Sequence, residues 1–458
     1  MSDTVAAPIP HCAAPAEPAD DAPMRLLFCE RAKRQRWLDV EAALARAEAE
    51  AGVVPWDAAE KIAAAAHLDL LDYGRILEGE AATGHVMVPL IAELARAAGP
   101  GHGGWVHWGA TTQNIQQTGD TVGIREAHGR LRERITAVIA SLADLAARYA
   151  DTPMAGRTHW QHAVPITFGY KAAVWADVMA RHLERMDQLG PRLFVSMTAG
   201  AAGTFASLGE RGPAVQASVA RQLGLAPMTV SSRSLVDHFA EFVSVLAMVC
   251  ASAASVSEEV ARLMSTEFGE LSEPVPAGDV GSSTMPQKRN PKLCGQIVTG
   301  AAQVRALVPL ALEAMIQSHE VDGARSAMMD RAVEQATILA DDVLNTLDRV
   351  LSGLEVFPER MEANLGLTGG LITAEAVMMR LARSIGRQEA HTVVHHAALQ
   401  ASSGGTTFTE ALIEDPQVTA RLTDSEITDL LDPAHHLGLC SRIAAETSER
   451  VRALINHP

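Results

Sequence analysis

LVDHFAEFVSVLAMVCASAASVSEEVARLMSTEF, residues Leu235–Phe268, runs for more than 30 residues with no proline or glycine until Gly269. A stretch of that length at a rise of 1.5 Å per residue implies a helix several turns taller than an ordinary globular one. Other helix signals surround it. Trp37–Ala51 has Trp37, Val40, Leu44 and Ala47 at three-to-four spacing, with Gly52 just past its end. Gly123–Ala150, Thr167–Leu189, Asn290–Met315 and Ala332–Leu354 follow as further long helices. Several tall helices in one chain predict an all-α fold built on a helix bundle.

Composition agrees with that reading. Of the 458 residues, 48% are apolar but only 4% aromatic, because alanine supplies much of the apolar content. Alanine is the strongest helix former, whereas strands favour β-branched and aromatic residues. The formal charge of −17, from 55 acids against 38 bases, disfavours a nucleic-acid or anionic-membrane partner. It leaves room for an anionic small substrate in a locally cationic pocket. Five scattered cysteines form no CxxC pair, which points to a reducing cytoplasm. Val243–Val256, interrupted by Ser244, Ser252 and Ser255, reads as too short to span a membrane.

The length predicts more than one domain. Residues 1–23, rich in Ala, Pro and Asp, read as a disordered arm. An N-terminal helical domain is expected over 24–110, the long-helix bundle over 111–356, and a C-terminal domain of shorter helices over 357–458.

Three Gly- and Pro-containing connectors interrupt the helices: Gly99–Thr112, Ala199–Glu210 and Glu273–Pro291. The third, EPVPAGDVGSSTMPQKRNP, cannot be a regular helix, and its glycines free the backbone. It carries a serine pair, Ser282 and Ser283, a cation at Lys288 and an amide at Asn290. Any one of these in a linker means little; together they can bind and deprotonate an anionic substrate. There is no Walker loop, no GxGxxG follows a strand pattern, and no cofactor is expected. His391 and His395, four apart on an expected helix, lack a carboxylate partner for a metal site and read as helix surface.

GSSTMPQKRNP resembles the signature loop of the fumarase/aspartase superfamily. Gly156–Phe168 (GRTHWQHAVPITF) resembles that family's second motif and Trp105–Asp120 (WVHWGATTQNIQQTGD) its first. Phe357–Arg387 resembles the C-terminal domain of the branch holding adenylosuccinate lyase and 3-carboxy-cis,cis-muconate cycloisomerase. The resemblance implies a three-domain fold and a homotetramer. Its central helices form a twenty-helix bundle, and active sites are shared between subunits. The implied reaction is β-elimination from a substituted succinate, giving fumarate.

By the same resemblance, Ser282 is the base and His159 the acid that protonates the leaving group. Lys288, Asn290, Thr111, Thr112, Thr158, Gln161, His107 and His85 bind substrate. Ser283 positions the backbone, and Arg325 is a candidate for the distal carboxylate beside Arg157, Arg181 and Arg305. The chain departs from the branch at Thr111-Thr112-Gln113-Asn114, where Thr-Ser-x-Asp is usual, and at Arg233-Ser234 and Glu320-Val321. A leaving group needing little acid assistance fits the loss of Asp at Asn114; nitrite from nitrosuccinate, or an amine, is a candidate. Lactonising cycloisomerisation and a non-catalytic structural role are the alternatives.

Overall fold

The computed structural model describes residues 23–275, 284–285 and 287–456. Ser282, Ser283 and nearly all of the expected N-terminal arm lie outside the described residues. Among the described residues are eighteen α-helices and three two-stranded pairings, so the protein is all-α. The tall helices are Thr112–Arg148, Phe168–Leu193, Asp237–Leu263, Lys292–Ala314 and Gly323–Ser352.

The chain packs as two compact units whose boundaries fall inside these long helices. One comprises Met1–Glu133, Glu184–Cys250 and Ala301–Asp342; the other comprises Arg134–Leu183, Ala251–Gly300 and Val343–Pro458. In the first unit, helix Glu30–Glu50 buries Trp37, Leu38, Val40, Leu44 and Ala47 at helical spacing. These residues share a core with Ile62, Leu90, Leu94 and Val219. The helix approaches Thr112–Arg148 closely at two glycines. A Cβ on Gly119 would lie 2.8 Å from the Trp37 ring, and one on Gly123 would lie 2.8 Å from the Arg36 guanidinium.

In the second unit, Val377, Leu381, Val393, Phe408, Leu412 and Ile427 form a separate core of short helices. Two of these helices begin with capping boxes, Thr407 with Glu410 and Thr423 with Glu426. Glu410 and Glu426 thus serve as caps at helix starts.

One sequence expectation needs correction. Two helices among the described residues are long and apolar enough to cross a membrane by length and composition. These are Asp237–Leu263 (mean hydropathy 1.9) and Lys292–Ala314 (1.3). Serines do not interrupt the first. Ser244 and Ser257 return their hydroxyls to the carbonyls of Ala240 and Ala253, at 2.8 and 2.9 Å, so their polarity is satisfied within the helix. Two-thirds of its apolar window is buried inside the chain (67%), against 28% for Lys292–Ala314.

Candidate active site

In the first unit, a cavity of about 550 Å³ opens beside the start of helix Thr112–Arg148. Its lining brings together two of the expected substrate residues, His85 and Thr112, with Gln113 and Arg233. His85 accepts at Nδ1 from the backbone N–H groups of Met87 (3.2 Å) and Val88 (3.4 Å), capping helix Met87–Ala98. With Nδ1 an acceptor, the ring proton resides on Nε2, which makes His85 a hydrogen-bond donor. Thr112 heads a 37-residue helix whose unpaired N–H groups favour an anion.

Arg233 is held from two sides. Its Nε and Nη2 donate to Gln113 Oε1 at 2.9 and 2.6 Å, and its Nη1 donates to the carbonyl of Ala201 at 2.9 Å. Burial lowers its pKa. Asn114 is fully buried and orients no histidine. Its Oδ1 accepts from the N–H groups of Thr111 (3.2 Å) and Gly200 (3.0 Å), and Nδ2 faces Met197 Sδ at 3.1 Å. The amide therefore ties the Ala199–Glu210 connector to the head of the helix.

His107 lies outside that lining. It adopts a left-handed backbone, φ 61°, and its Nδ1 is 2.5 Å from Oε1 of buried Glu41. Sequence reading missed Glu41, because a glutamate within a helix pattern carries no sign of its partner. Glu48, two turns further along the same face, is fully buried and neither carboxyl oxygen has a partner among the described residues.

Burial, reinforced by the charge of Glu41, pushes Glu48 from 4.5 up to about 9. The folded pKa exceeds the unfolded one. The stability contribution is thus complete below about pH 4.5 and is lost as pH rises towards 9. Glu48→Gln, which mimics the protonated acid, should stabilise the protein by roughly 3 kcal/mol at pH 7 and by nothing near pH 4. Melting temperatures across pH check this; a gain independent of pH would refute it.

Arg325, expected near a substrate carboxylate, pairs with Glu313, and the cavity lining does not include it. Two arginines that sequence reading did not select for binding, Arg36 and Arg233, do line it.

The second unit holds the other expected residues. His159 and Trp160 form the two-residue turn of a hairpin, Pro153–Thr158 paired with Gln161–Thr167, in which Thr158 and Gln161 face each other. Both turn residues have positive φ, 49° and 68°. Such turns favour Asn-Gly, so His-Trp stores strain on the order of 1 kcal/mol or more per residue. His159 is exposed, and Trp160, 79% exposed, is capped by Arg262 at 5.1 Å.

The hairpin is anchored by Arg157, whose two terminal nitrogens reach fully buried Glu270 at 2.6 and 3.0 Å. Asn364 donates to the same carboxylate at 2.7 Å. Arg157 is thereby committed to structure, as Arg181 is to Asp177. The ends of the signature segment are pinned as well. Glu273 accepts from the N–H groups of Leu293 (3.0 Å) and Cys294 (2.9 Å) at the start of helix Lys292–Ala314. Lys288 is exposed and Asn290 half-buried. His391 and His395 are exposed and stacked on one helix, ring centroids 5.9 Å apart.

A family model described as Lyase matches residues 17–306, and one described as Adenylosuccinate lyase C-terminus matches 370–447. The chain is 41% identical to a 3-carboxy-cis,cis-muconate cycloisomerase of Pseudomonas aeruginosa, covering 91% of this chain and 92% of that one. It is 37% identical to an adenylosuccinate lyase of Methanothermobacter thermautotrophicus, covering 93% and 96%. The crystal structure of a fumarate lyase from a Mesorhizobium species superposes with a TM-score of 0.87 at 38% identity, over 93% of this chain and 97% of that one. The chain therefore belongs to the fumarase/aspartase superfamily of lyases, in the branch that holds adenylosuccinate lyase and 3-carboxy-cis,cis-muconate cycloisomerase.

Proposed function

We propose that this enzyme eliminates a β-substituent from a substituted succinate, yielding fumarate. The observation that carries the reading is the pairing of His85, fixed as an Nε2–H donor, with the N-terminus of helix Thr112–Arg148. Together they form an anion-binding corner suited to a carboxylate. In the reaction, Ser282 takes the proton α to a carboxylate, and the electron pair passes through the aci-carboxylate. The bond from Cβ to the substituent then breaks, and the substituent departs with its electrons, protonated by His159 where it needs a proton. Lys288 and Asn290 stabilise the dianion.

A homotetramer completes the site in this proposal. It is supported by helix Lys292–Ala314, on which Leu312 is exposed and Val298, Leu307, Val308 and Leu310 are only partly covered by the described residues of the chain. The cycloisomerase relative supports a second reading, in which the substrate's own carboxylate forms or leaves a lactone. Incubation with nitrosuccinate, N-(1,2-dicarboxyethyl) amines and carboxymuconate separates the two. Fumarate absorbance is expected from the succinates; lactone from carboxymuconate without any fumarate would overturn the first reading.

A further inference from the structure

From Thr112 the cavity follows its helix past Gln116 to Asp120, a distance of about 12 Å along the axis. A succinyl group bound at His85 and Thr112 leaves that inner end for the substituent. The floor there is built from titratable groups whose pairing is incomplete. Arg36 is only 8% exposed, lines the cavity, and its Nε has no acceptor among the described residues. Its guanidinium lies against Gly123.

Asp120 and Asp330 line the same cavity, with Glu334, which takes Lys33 at 2.7 Å. Glu30 turns away to Arg34 at 3.0 Å. Three carboxylates thus face two cations. Burial first and then the charge of Asp330 raise Asp120 to about 7, and burial raises Asp330 to about 6 although it opens onto the cavity. Burial also lowers Arg36. Asp120 and Arg36 act on each other, yet three carboxylates share two cations and Arg36 Nε still lacks an acceptor among the described residues.

We propose that this floor binds an amino-acid head group, its carboxylate on Arg36 and its ammonium between Asp120 and Asp330. The head would be carried by the leaving group on an arm of about the length of the four-carbon lysine stem. The inference rests on the elimination reading for the succinyl end; the head-group site itself does not depend on turnover.

The test uses matched N-(1,2-dicarboxyethyl) derivatives: of lysine through its side-chain nitrogen, of cadaverine (no head carboxylate), of 6-aminohexanoate (no head ammonium) and of pentylamine (neither). Fumarate release is expected with kcat/KM for the lysine derivative about tenfold or more above each single deletion. Arg36→Met should bring the lysine-to-cadaverine ratio to about one, and Asp120→Asn the lysine-to-6-aminohexanoate ratio.

Calorimetry with free lysine, cadaverine and 6-aminohexanoate gives a readout separate from activity. Selective lysine binding without fumarate release would sink the elimination reading and leave the head-group site standing. Equal kcat/KM across the four derivatives, or no selective binding of lysine, overturns the head-group site. Fumarate release from nitrosuccinate in either case keeps the elimination reading.

Discussion

Ser282→Ala should lower kcat by about 10²–10⁴-fold while leaving the helical content and the assembly state unchanged. A serine hydroxyl is an unfavourable base, so the effect depends on whether its anion is stabilised by surrounding amides and cations. The measurement is steady-state fumarate release alongside circular dichroism and light scattering. Turnover within a factor of two of wild type would remove Ser282 from the role of base. Because the variant keeps Lys288 and Asn290, KM should change far less than kcat.

The second large effect lies in the hairpin anchor. Glu270→Ala should destabilise the fold by about 3–5 kcal/mol, because it strands the Arg157 guanidinium without its carboxylate. Arg157 also stacks on Phe268 at 4.6 Å, and Asn364 loses its acceptor in the same step. Chemical denaturation reads the loss. Replacing both partners by apolar residues, Arg157→Met with Glu270→Leu, should recover much of it, since neither charge then remains buried. A single substitution costing under about 1 kcal/mol would mean that water reaches the pair.

Much of this architecture could be read directly from the sequence. Leu235–Phe268 was expected as one long helix and is observed as Asp237–Leu263. Asn290–Met315 became Lys292–Ala314, starting just after Pro291, as the constraint on residues around proline requires. Helix Thr112–Arg148 starts well before the expected Gly123. Gly119 and Gly123 are contact points for a neighbouring helix. Periodicity within one helix cannot show what another brings against it.

The hairpin around His159 carries no strand signal in the sequence, since PMAGRT and QHAVPIT show no clean alternation and its turn lacks Asn-Gly. At the cavity, His85 and Thr112 carried signals in their motifs. Arg36 and Asp330 did not, and Asp120 closes the first motif without a role of its own, because charged residues on helices read as solvent-facing until the helices are packed.

The two glycines on the Thr112 helix have a consequence for how specificity could change in this chain. Trp37 and Arg36 rest on bare backbone there, so the position of the guanidinium is governed by the absence of two methyl groups. An alanine at position 123 would displace that cation without altering any charge. Divergence of leaving-group preference could therefore proceed through helix spacing, with every polar residue of the cavity retained.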